Sequence, residues 1–197
     1  MDLRKDILDK YYIDISRAEY EALPEGEWIK QWFCDTSGGY VVSHVLKAVD
    51  DLTRSGIVAE VKGCRALAEM GKHVLRLPEN IPDLLDEVMI DGKLYRELLK
   101  FKEGEKKPRG YPDVYFDRQT WDFKTSKYRR IKSVRKLILD GRKADNVLFI
   151  ITEHDQLELL KEAIHSEVGS RVEDGSWIYL PNVYYVCGGD LILLWHK

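Results

Sequence analysis

Hydrophobic and polar positions alternate along the chain with different periods, and these periods predict where strands and helices lie. Two aromatic and β-branched runs, Trp28–Cys34 and Tyr40–Leu46, are separated by the turn-forming sequence Asp-Thr-Ser-Gly-Gly, which predicts a β-hairpin. Residues 57–70 repeat apolar side chains at helical spacing and therefore predict an amphipathic helix. His73–Leu77 follows as a predicted strand.

The second half of the chain carries further strand and helix patterns. Gly110–Lys124 predicts two short strands joined by a polar turn, and residues 126–140 predict an amphipathic helix. The continuous apolar run of Asn146–Thr152 is typical of a strand that is covered on both faces. Residues 155–169 predict another amphipathic helix, and residues 176–197 predict two or three further strands.

Residues 79–110 interrupt this order and are interpreted as an insertion. A helix is predicted over Lys93–Phe101, and the charged loop Glu103–Gly110 comes directly before the first of the two short strands. The basic residues of this loop are Lys106, Lys107 and Arg109. Basic loops at the mouth of a site often contact phosphates, although such residues also serve solubility alone.

Length and composition indicate one good-sized hydrophobic core, because the chain has 197 residues of which 44% are hydrophobic. We expect an N-terminal extension, residues 1–50, that packs its hairpin on a domain formed by residues 51–197. The charged N-terminal residues do not resemble a signal peptide, and no apolar run is long enough to span a bilayer. Three widely spaced cysteines favour a reducing compartment, so the expected site of action is cytoplasmic.

The distribution of charge changes this picture more than its sum. The formal net charge is only −3, which argues against a protein that coats nucleic acid over its whole surface. Basic residues nevertheless concentrate between Lys124 and Lys143, whereas the acidic excess lies in Glu153–Asp174. This asymmetry predicts one side that faces a polyanion, with a solvated basic helix face as the alternative.

Two short motifs carry the candidate chemistry. Pro112-Asp113 is followed, after eight intervening residues, by Asp122-Phe123-Lys124. Because strand side chains alternate between faces, Asp122 and Lys124 are expected on the same side of the second strand. A carboxylate beside an ammonium, with a second carboxylate nearby, suits the binding of a hard divalent cation and the placement of a water. We expect the side chains of Asp122 and Lys124 to be partly exposed in a cleft. The alternative is an ordinary hairpin whose charged side chains face solvent.

Glu60 is a further candidate because of its position in the helical pattern. It lies one turn before Cys64 and two turns before Leu67, on or beside the apolar stripe. An unpaired carboxylate in that place is costly. Either Glu60 reaches solvent at the edge of the stripe or a positive group meets it, and a divalent metal is one such group.

Taken together, Glu60, Pro112-Asp113 and Asp122-Phe123-Lys124 resemble the motif of the PD-(D/E)xK nuclease superfamily. In wording, AEVKGCRALAEMGKHVLRLPE and PDVYFDRQTWDFK are similar to nuclease domains of contact-dependent growth inhibition and related polymorphic toxins, and of some phage head-morphogenesis proteins. The resemblance covers about residues 57–152. It implies an α/β (α+β) fold with a restriction-endonuclease-like αβββαβ core, a mixed central sheet flanked by helices, an added N-terminal hairpin and added C-terminal strands.

The resemblance also implies roles for the matching residues. Asp113 and Asp122 would bind Mg²⁺ or Mn²⁺, with the backbone carbonyl of Phe123 as a further ligand. Glu60 would bind a metal at the edge of the site, directly or through water. Lys124 would position the attacking water or help to deprotonate it. The residues expected to contact the nucleic-acid backbone are Lys106, Lys107, Arg109, Lys127, Arg129 and Arg130.

The implied function is that of a metal-dependent endonuclease that hydrolyses phosphodiester bonds of DNA or RNA, including tRNA. A toxin or mobile-element role is expected, and a toxin would have a cognate immunity protein as its partner. The alternative is a non-catalytic binding or structural module of the same fold in phage or mobile-element assembly. The chain contains no P-loop, GxGxxG, HExxH or GxSxG motif, so no motif favours an enzyme of another class.

Overall fold

A computed structural model describes the main part of the chain as two compact units. The described residues are 28–34, 38–46, 60, 63–77, 89–101, 104, 108–124, 130–151, 154–174, 180–187 and 189–196. One unit comprises Met1–Pro78 with Val114–Asp117, and the other comprises Glu79–Asp113 with Arg118–Lys197. The predicted division into an extension and a nuclease-like domain stays a prediction.

The first unit is a helix and a mixed sheet. Its elements are β1 (Trp28–Cys34), β2 (Tyr40–Leu46), α1 (63–69), β3 (His73–Arg76) and β6 (Val114–Phe116). β1 and β2 pair antiparallel over their whole length, so the predicted hairpin is confirmed. β2 then pairs parallel with β3, and β3 pairs antiparallel with β6.

Helix α1 packs with the apolar stripe that its sequence predicts. Cys64, Leu67 and Ala68 are buried on it. The helix comes very close to the backbone of Gly39, since a Cβ atom at that glycine would lie 1.8 Å from the carbonyl oxygen of Ala68. Only glycine fits there.

The second unit holds the remaining elements. These are β4 (Met89–Ile90), β5 (Lys93–Leu94), a 3₁₀ turn (Tyr95–Leu98), β7 (Gln119–Lys124), α2 (Ile131–Asp140), a 3₁₀ turn (Gly141–Lys143), β8 (Asn146–Ile150), α3 (His154–Asp174), β9 (Asn182–Cys187) and β10 (Asp190–Trp195). β7, β8 and β9 pair in parallel, and β10 pairs antiparallel with β9. Both α2 and α3 contribute to one hydrophobic cluster with β8 and β9.

The packing of the second unit explains its sequence pattern. Val147, Leu148 and Phe149 are all fully buried, as expected of a strand covered on both faces. Val134 and Ile138 cover one part of the cluster from α2, while Leu160, Ala163 and Ile164 come from α3. The mixed α/β fold class is therefore confirmed, and the elements α1, β3, β6, β7, α2 and β8 follow one another in the expected order.

The predicted helix over Lys93–Phe101 is wrong. Asp91 and Gly92 both have positive φ, 52° and 77°, and form a two-residue turn between β4 and β5. An Asp-Gly pair is a strong hairpin signal, and it places Lys93 and Leu94 in a strand. Only one 3₁₀ turn then fits before the chain becomes extended again at Leu99.

Two further features concern helices. Helix α2 begins at Ile131, because Arg130 has extended backbone angles of φ −144° and ψ 135°. The predicted start of this helix near residue 126 is therefore too early. Residues 125–129 lie outside the described part of the chain. Among the described ranges, no helix combines the length and apolar character needed to cross a membrane.

Candidate active site

The site is built where the chain before β6 meets β7. The backbone N–H of Asp113 donates a hydrogen bond to the carbonyl of Trp121 at 2.9 Å. The side-chain Oδ2 of Asp113 accepts a second bond from the N–H of Phe123 at 2.6 Å. These two bonds hold Asp113 beside Asp122, and the two carboxylates are 3% and 1% exposed.

Asp122 and Lys124 lie on the same side of β7, as strand alternation predicts. The Lys124 ammonium contacts Oδ2 of Asp122, and the lysine side chain is 13% exposed. The expectation of a partly exposed Asp122 is wrong, because this carboxylate is almost completely buried. Core side chains flank it on the strand, since Trp121 and Phe123 are buried as well.

Lys143 is a site residue that the sequence analysis missed. Its Nζ donates a hydrogen bond to Oδ1 of Asp113 at 2.8 Å and lies 2.9 Å from Oδ1 of Asp122. The charge distribution of the sequence predicts that Lys143 belongs to a side that faces a polyanion. In the structure, its side chain instead points toward Asp113 and Asp122. Lys143 lies in the turn between α2 and β8, and β8 pairs directly with β7, so it is the pairing of the strands that brings this lysine to the two carboxylates.

Two glycines leave room for this cluster. A Cβ atom at Gly110 would lie 3.2 Å from Cδ of Lys143, so a side chain there would press on the lysine stem. A Cβ atom at Gly141 would lie 3.0 Å from Val147 and 3.4 Å from Oδ2 of Asp122. The absence of a side chain at Gly110 therefore leaves room for the lysine stem, and its absence at Gly141 leaves room for Val147 beside the cluster.

The two aspartates have opposite pKa shifts. Burial, together with the negative charge of Asp113, raises the pKa of Asp122 to about 7 despite Lys143 and Lys124 nearby. Burial also acts to raise the pKa of Asp113, but the charge and hydrogen bond of Lys143 and the N–H of Phe123 outweigh it and hold that pKa below its usual value. The pKa of Lys143 is raised because both carboxylates outweigh its desolvation.

Asp122 also stands out by its hydrogen bonding. Within the part of the chain that the structure describes, neither of its buried carboxylate oxygens has a partner in hydrogen-bonding geometry. Lys124 and Lys143 meet these oxygens as ion pairs. A buried acceptor held by charge alone is costly, so Asp122 is suited to a ligand that can coordinate it.

The donor set around Asp122 fits a small hard cation. Oδ1 of Asp113 and Oδ1 of Asp122 converge on one point, because both lie within 2.9 Å of the Lys143 ammonium. Two carboxylates completed by water molecules form a set that Mg²⁺ accepts, since Mg²⁺ keeps several waters. In the described ranges, no three or more His, Cys, Asp or Glu side chains group as metal ligands.

Glu60 meets a positive group in the first unit. Arg76 Nε donates a hydrogen bond to Oε2 of Glu60 at 3.0 Å, and Nη2 of the same arginine contacts that oxygen. Their side chains are 17% and 5% exposed for Glu60 and Arg76, respectively. Arg76 is thus the positive group that was expected beside Glu60 at the apolar stripe. A metal-binding role of Glu60 stays a prediction.

The predicted nucleic-acid contacts are only partly described. Arg109 and Arg130 are exposed, and the backbone N–H of Arg109 donates to the carbonyl of Lys100 at 2.7 Å. The other predicted contact residues, which lie outside the described residues, are Lys106, Lys107, Lys127 and Arg129.

Comparisons with known proteins add one weak structural similarity. No protein-family model and no curated protein matches the chain. Among solved structures, a chain described as "CdiA-CT/CdiI toxin and immunity complex from Burkholderia pseudomallei" aligns with a TM-score of 0.45 and 14% sequence identity. The alignment covers 76% of this chain and 91% of that chain. That structure is a complex of a toxin with an immunity protein, and a likeness this weak shows neither the family nor the activity of this chain.

Proposed function

We propose that this protein is a metal-dependent nuclease that hydrolyses phosphodiester bonds, with Mg²⁺ or Mn²⁺ held by Asp113, Asp122 and the backbone carbonyl of Phe123. The observation that carries the proposal is the state of Asp122. Its carboxylate is 1% exposed, lacks a directed hydrogen bond from the residues described, and lies beside a second buried carboxylate. Carboxylates in this state commonly occur at functional sites.

The residues around Asp122 would divide the chemistry between them. A bound divalent cation supplies a lowered pKa for a coordinated water and neutralises charge on the phosphate. Asp113 is anchored by the N–H of Phe123 and keeps its negative charge, because its pKa is lowered. Lys124, in contact with Asp122, orients the attacking water and offsets the negative charge that develops on the phosphate.

Substrate binding is proposed to rest on exposed basic side chains. Arg109 lies four residues before Asp113 in the chain, and Arg130 directly precedes α2. Contacts of this kind position a nucleic-acid backbone without reading its sequence. DNA and RNA, including tRNA, are both retained as substrates. A role as a toxin, with an immunity protein that blocks the substrate-binding side, belongs to the same proposal.

The test is cleavage of labelled plasmid DNA and total tRNA in the presence of Mg²⁺, Mn²⁺ or EDTA. Wild type is compared with Asp122→Ala and with a matched control, Asp190→Asn, whose carboxylate is exposed at the start of β10. We expect metal-dependent cleavage by wild type and the control and none by Asp122→Ala. The substrate that is cut identifies the nuclease class. Cleavage that persists in EDTA or in Asp122→Ala would contradict the proposal.

A non-catalytic module of the same fold is the second candidate. The observation that favours it is charge balance: Lys124 and Lys143 already neutralise Asp113 and Asp122 without a metal. A module of this kind would cut neither substrate, and Mn²⁺ would not raise its melting temperature. Both results together would favour it over the nuclease.

A further inference from the structure

The side chain of Lys143 takes the position that a divalent cation would need. Its ammonium lies 2.8 Å from Oδ1 of Asp113 and 2.9 Å from Oδ1 of Asp122. Mg²⁺ requires carboxylate oxygens at about 2.0–2.1 Å. An ammonium and a metal ion cannot share that point, so the two cations exclude each other.

Charge leads to the same conclusion. With both aspartates ionised, the two lysines bring the cluster to neutrality. A divalent ion added to this neutral cluster would leave two uncompensated positive charges among side chains that are mostly buried. Such an excess is strongly unfavourable in a medium of low dielectric constant, so we expect one ammonium to leave.

The geometry selects Lys143 as the lysine that leaves. Lys143 touches both carboxylates, whereas the contact found for Lys124 is with Asp122. The Lys143 side chain is 21% exposed, so its flexible stem already reaches the surface. Gly110 beside the stem carries no side chain that would confine it.

We propose that Lys143 is an internal counterion that occupies the cation position between Asp113 and Asp122 and is displaced when a divalent metal binds. This inference rests on the proposed function, because it assigns the metal to the same two carboxylates. Displacement exposes the Lys143 ammonium beside the metal, where it can pair with a phosphate oxygen of the substrate. The site thus remains electrically balanced and packed without metal, and its metal affinity is lower than two buried carboxylates would otherwise give.

The first test measures Mn²⁺ binding by titration calorimetry, with no substrate present. Removing the competing ammonium in Lys143→Gln should tighten binding by about tenfold or more, because the apparent affinity is reduced by the fraction of molecules whose site is closed. Lys124→Gln controls for the loss of one positive charge and should tighten binding less. Lys161→Gln, at an exposed lysine paired with Glu158, should bind as wild type does. Equal or weaker binding in a folded Lys143→Gln would overturn the inference.

The second test uses the wild-type protein and does not depend on the folding of a variant. Acetylation of individual lysines is followed by mass spectrometry with and without Mn²⁺. We expect Mn²⁺ to increase the acetylation rate of Lys143 severalfold and to leave that of Lys161 unchanged. Binding of Mn²⁺ without a change at Lys143, or no binding to any variant, would overturn the inference. If Mn²⁺ binding increases the acetylation of Lys143 but the protein cleaves no nucleic acid, only the nuclease proposal is contradicted.

Discussion

Two carboxylates of the second unit, Asp122 and Glu167, are equally buried, but their pKa values are shifted in opposite directions. They are 1% and 2% exposed, and each lies between two cationic side chains. Glu167 accepts one hydrogen bond on each oxygen, from Arg135 Nε at 2.7 Å and from Arg171 Nε at 2.6 Å. Asp122 accepts none from the described residues.

The pKa values follow this difference. Burial acts to raise the pKa of Glu167, but its hydrogen bonds with Arg135 and Arg171 outweigh burial and lower it. The pKa of Asp122 is raised to about 7, because burial and Asp113 outweigh the lysines. A guanidinium gives directed, planar hydrogen bonds, whereas an ammonium acts as a displaceable point charge. Burial alone therefore does not distinguish the two carboxylates; the kind of cation beside each one, and its hydrogen bonds, do.

The largest effect is expected from Asp122→Asn, which is nearly isosteric and removes the charge. Cleavage should fall by about a thousandfold or more, as for loss of a metal ligand that acts in the transition state. Folding should be retained, because burial already disfavours the charged form of Asp122 and the Lys143 side chain, 21% exposed, can turn its ammonium toward solvent. Cleavage assays and thermal melts at pH 8 measure both. A variant that unfolds would make Asp122 a structural residue and remove the contrast with Glu167.

Glu167→Gln should give the opposite result. Loss of the charge weakens both arginine bonds, and breaking a buried ion pair costs about 3–5 kcal/mol. We expect about 3 kcal/mol, at the low end, because the Arg135 side chain is 39% exposed. Urea denaturation measures the loss, and Mn²⁺ titration of the folded variant should give the wild-type affinity. A stable variant with altered metal binding would contradict the structural role of Glu167.

Local sequence pattern predicted those parts of the site that local structure determines. Asp122 and Lys124 share a face because a strand has a two-residue period, and Asp113 lies close to them. Lys143 could not be found in this way. It reaches the carboxylates only because the 3₁₀ turn after α2 leads into a strand that pairs with β7, which is a property of the tertiary structure.

Glu60 illustrates a second limit. Helical periodicity predicted a carboxylate beside an apolar stripe and hence a positive partner, and the structure supplies Arg76 from β3. The pattern specified the charge of the partner but not its identity, since a metal and an arginine both meet the electrostatic need. By contrast, the turn at Asp91-Gly92 is encoded locally, because an Asp-Gly pair favours a hairpin over the helix predicted for Lys93–Phe101.

Measurements at several pH values extend the comparison of Asp122 with Glu167, because the two carboxylates should change the free energy of unfolding with pH in opposite directions. Between about pH 4 and 7, Asp122 keeps its proton in the folded state and loses it in the unfolded state. This contribution to stability therefore falls as pH rises through that window, by at most about 1.4 kcal/mol per pH unit. Glu167, with its lowered pKa, contributes stability that is lost as pH falls through its folded-state pKa.

Denaturation curves at several pH values separate the two contributions. The free energy of unfolding of wild type minus that of Asp122→Asn should decrease from pH 4 to 7 and stay constant above pH 7. The free energy of unfolding of wild type minus that of Glu167→Gln should decrease only when the pH is lowered. Metal binding follows the same group: below pH 7 the Mn²⁺ affinity of wild type should fall about tenfold per pH unit, because binding must release the proton. A pH-independent affinity would show that Asp122 is not a ligand.

The smallest effects are expected at the surface, where charges are screened and are not held by buried partners. Arg109→Gln and Arg130→Gln should each weaken nucleic-acid binding only severalfold at physiological salt, and each should reduce the slope of log affinity against log salt by about 1. Metal affinity and melting temperature should not change, because both arginines are exposed. Fluorescence anisotropy with labelled nucleic acid at several salt concentrations measures the slope, with Lys161→Gln as control. An unchanged slope in both arginine variants would place the phosphate contacts elsewhere and leave the buried cluster as the tested part of the site.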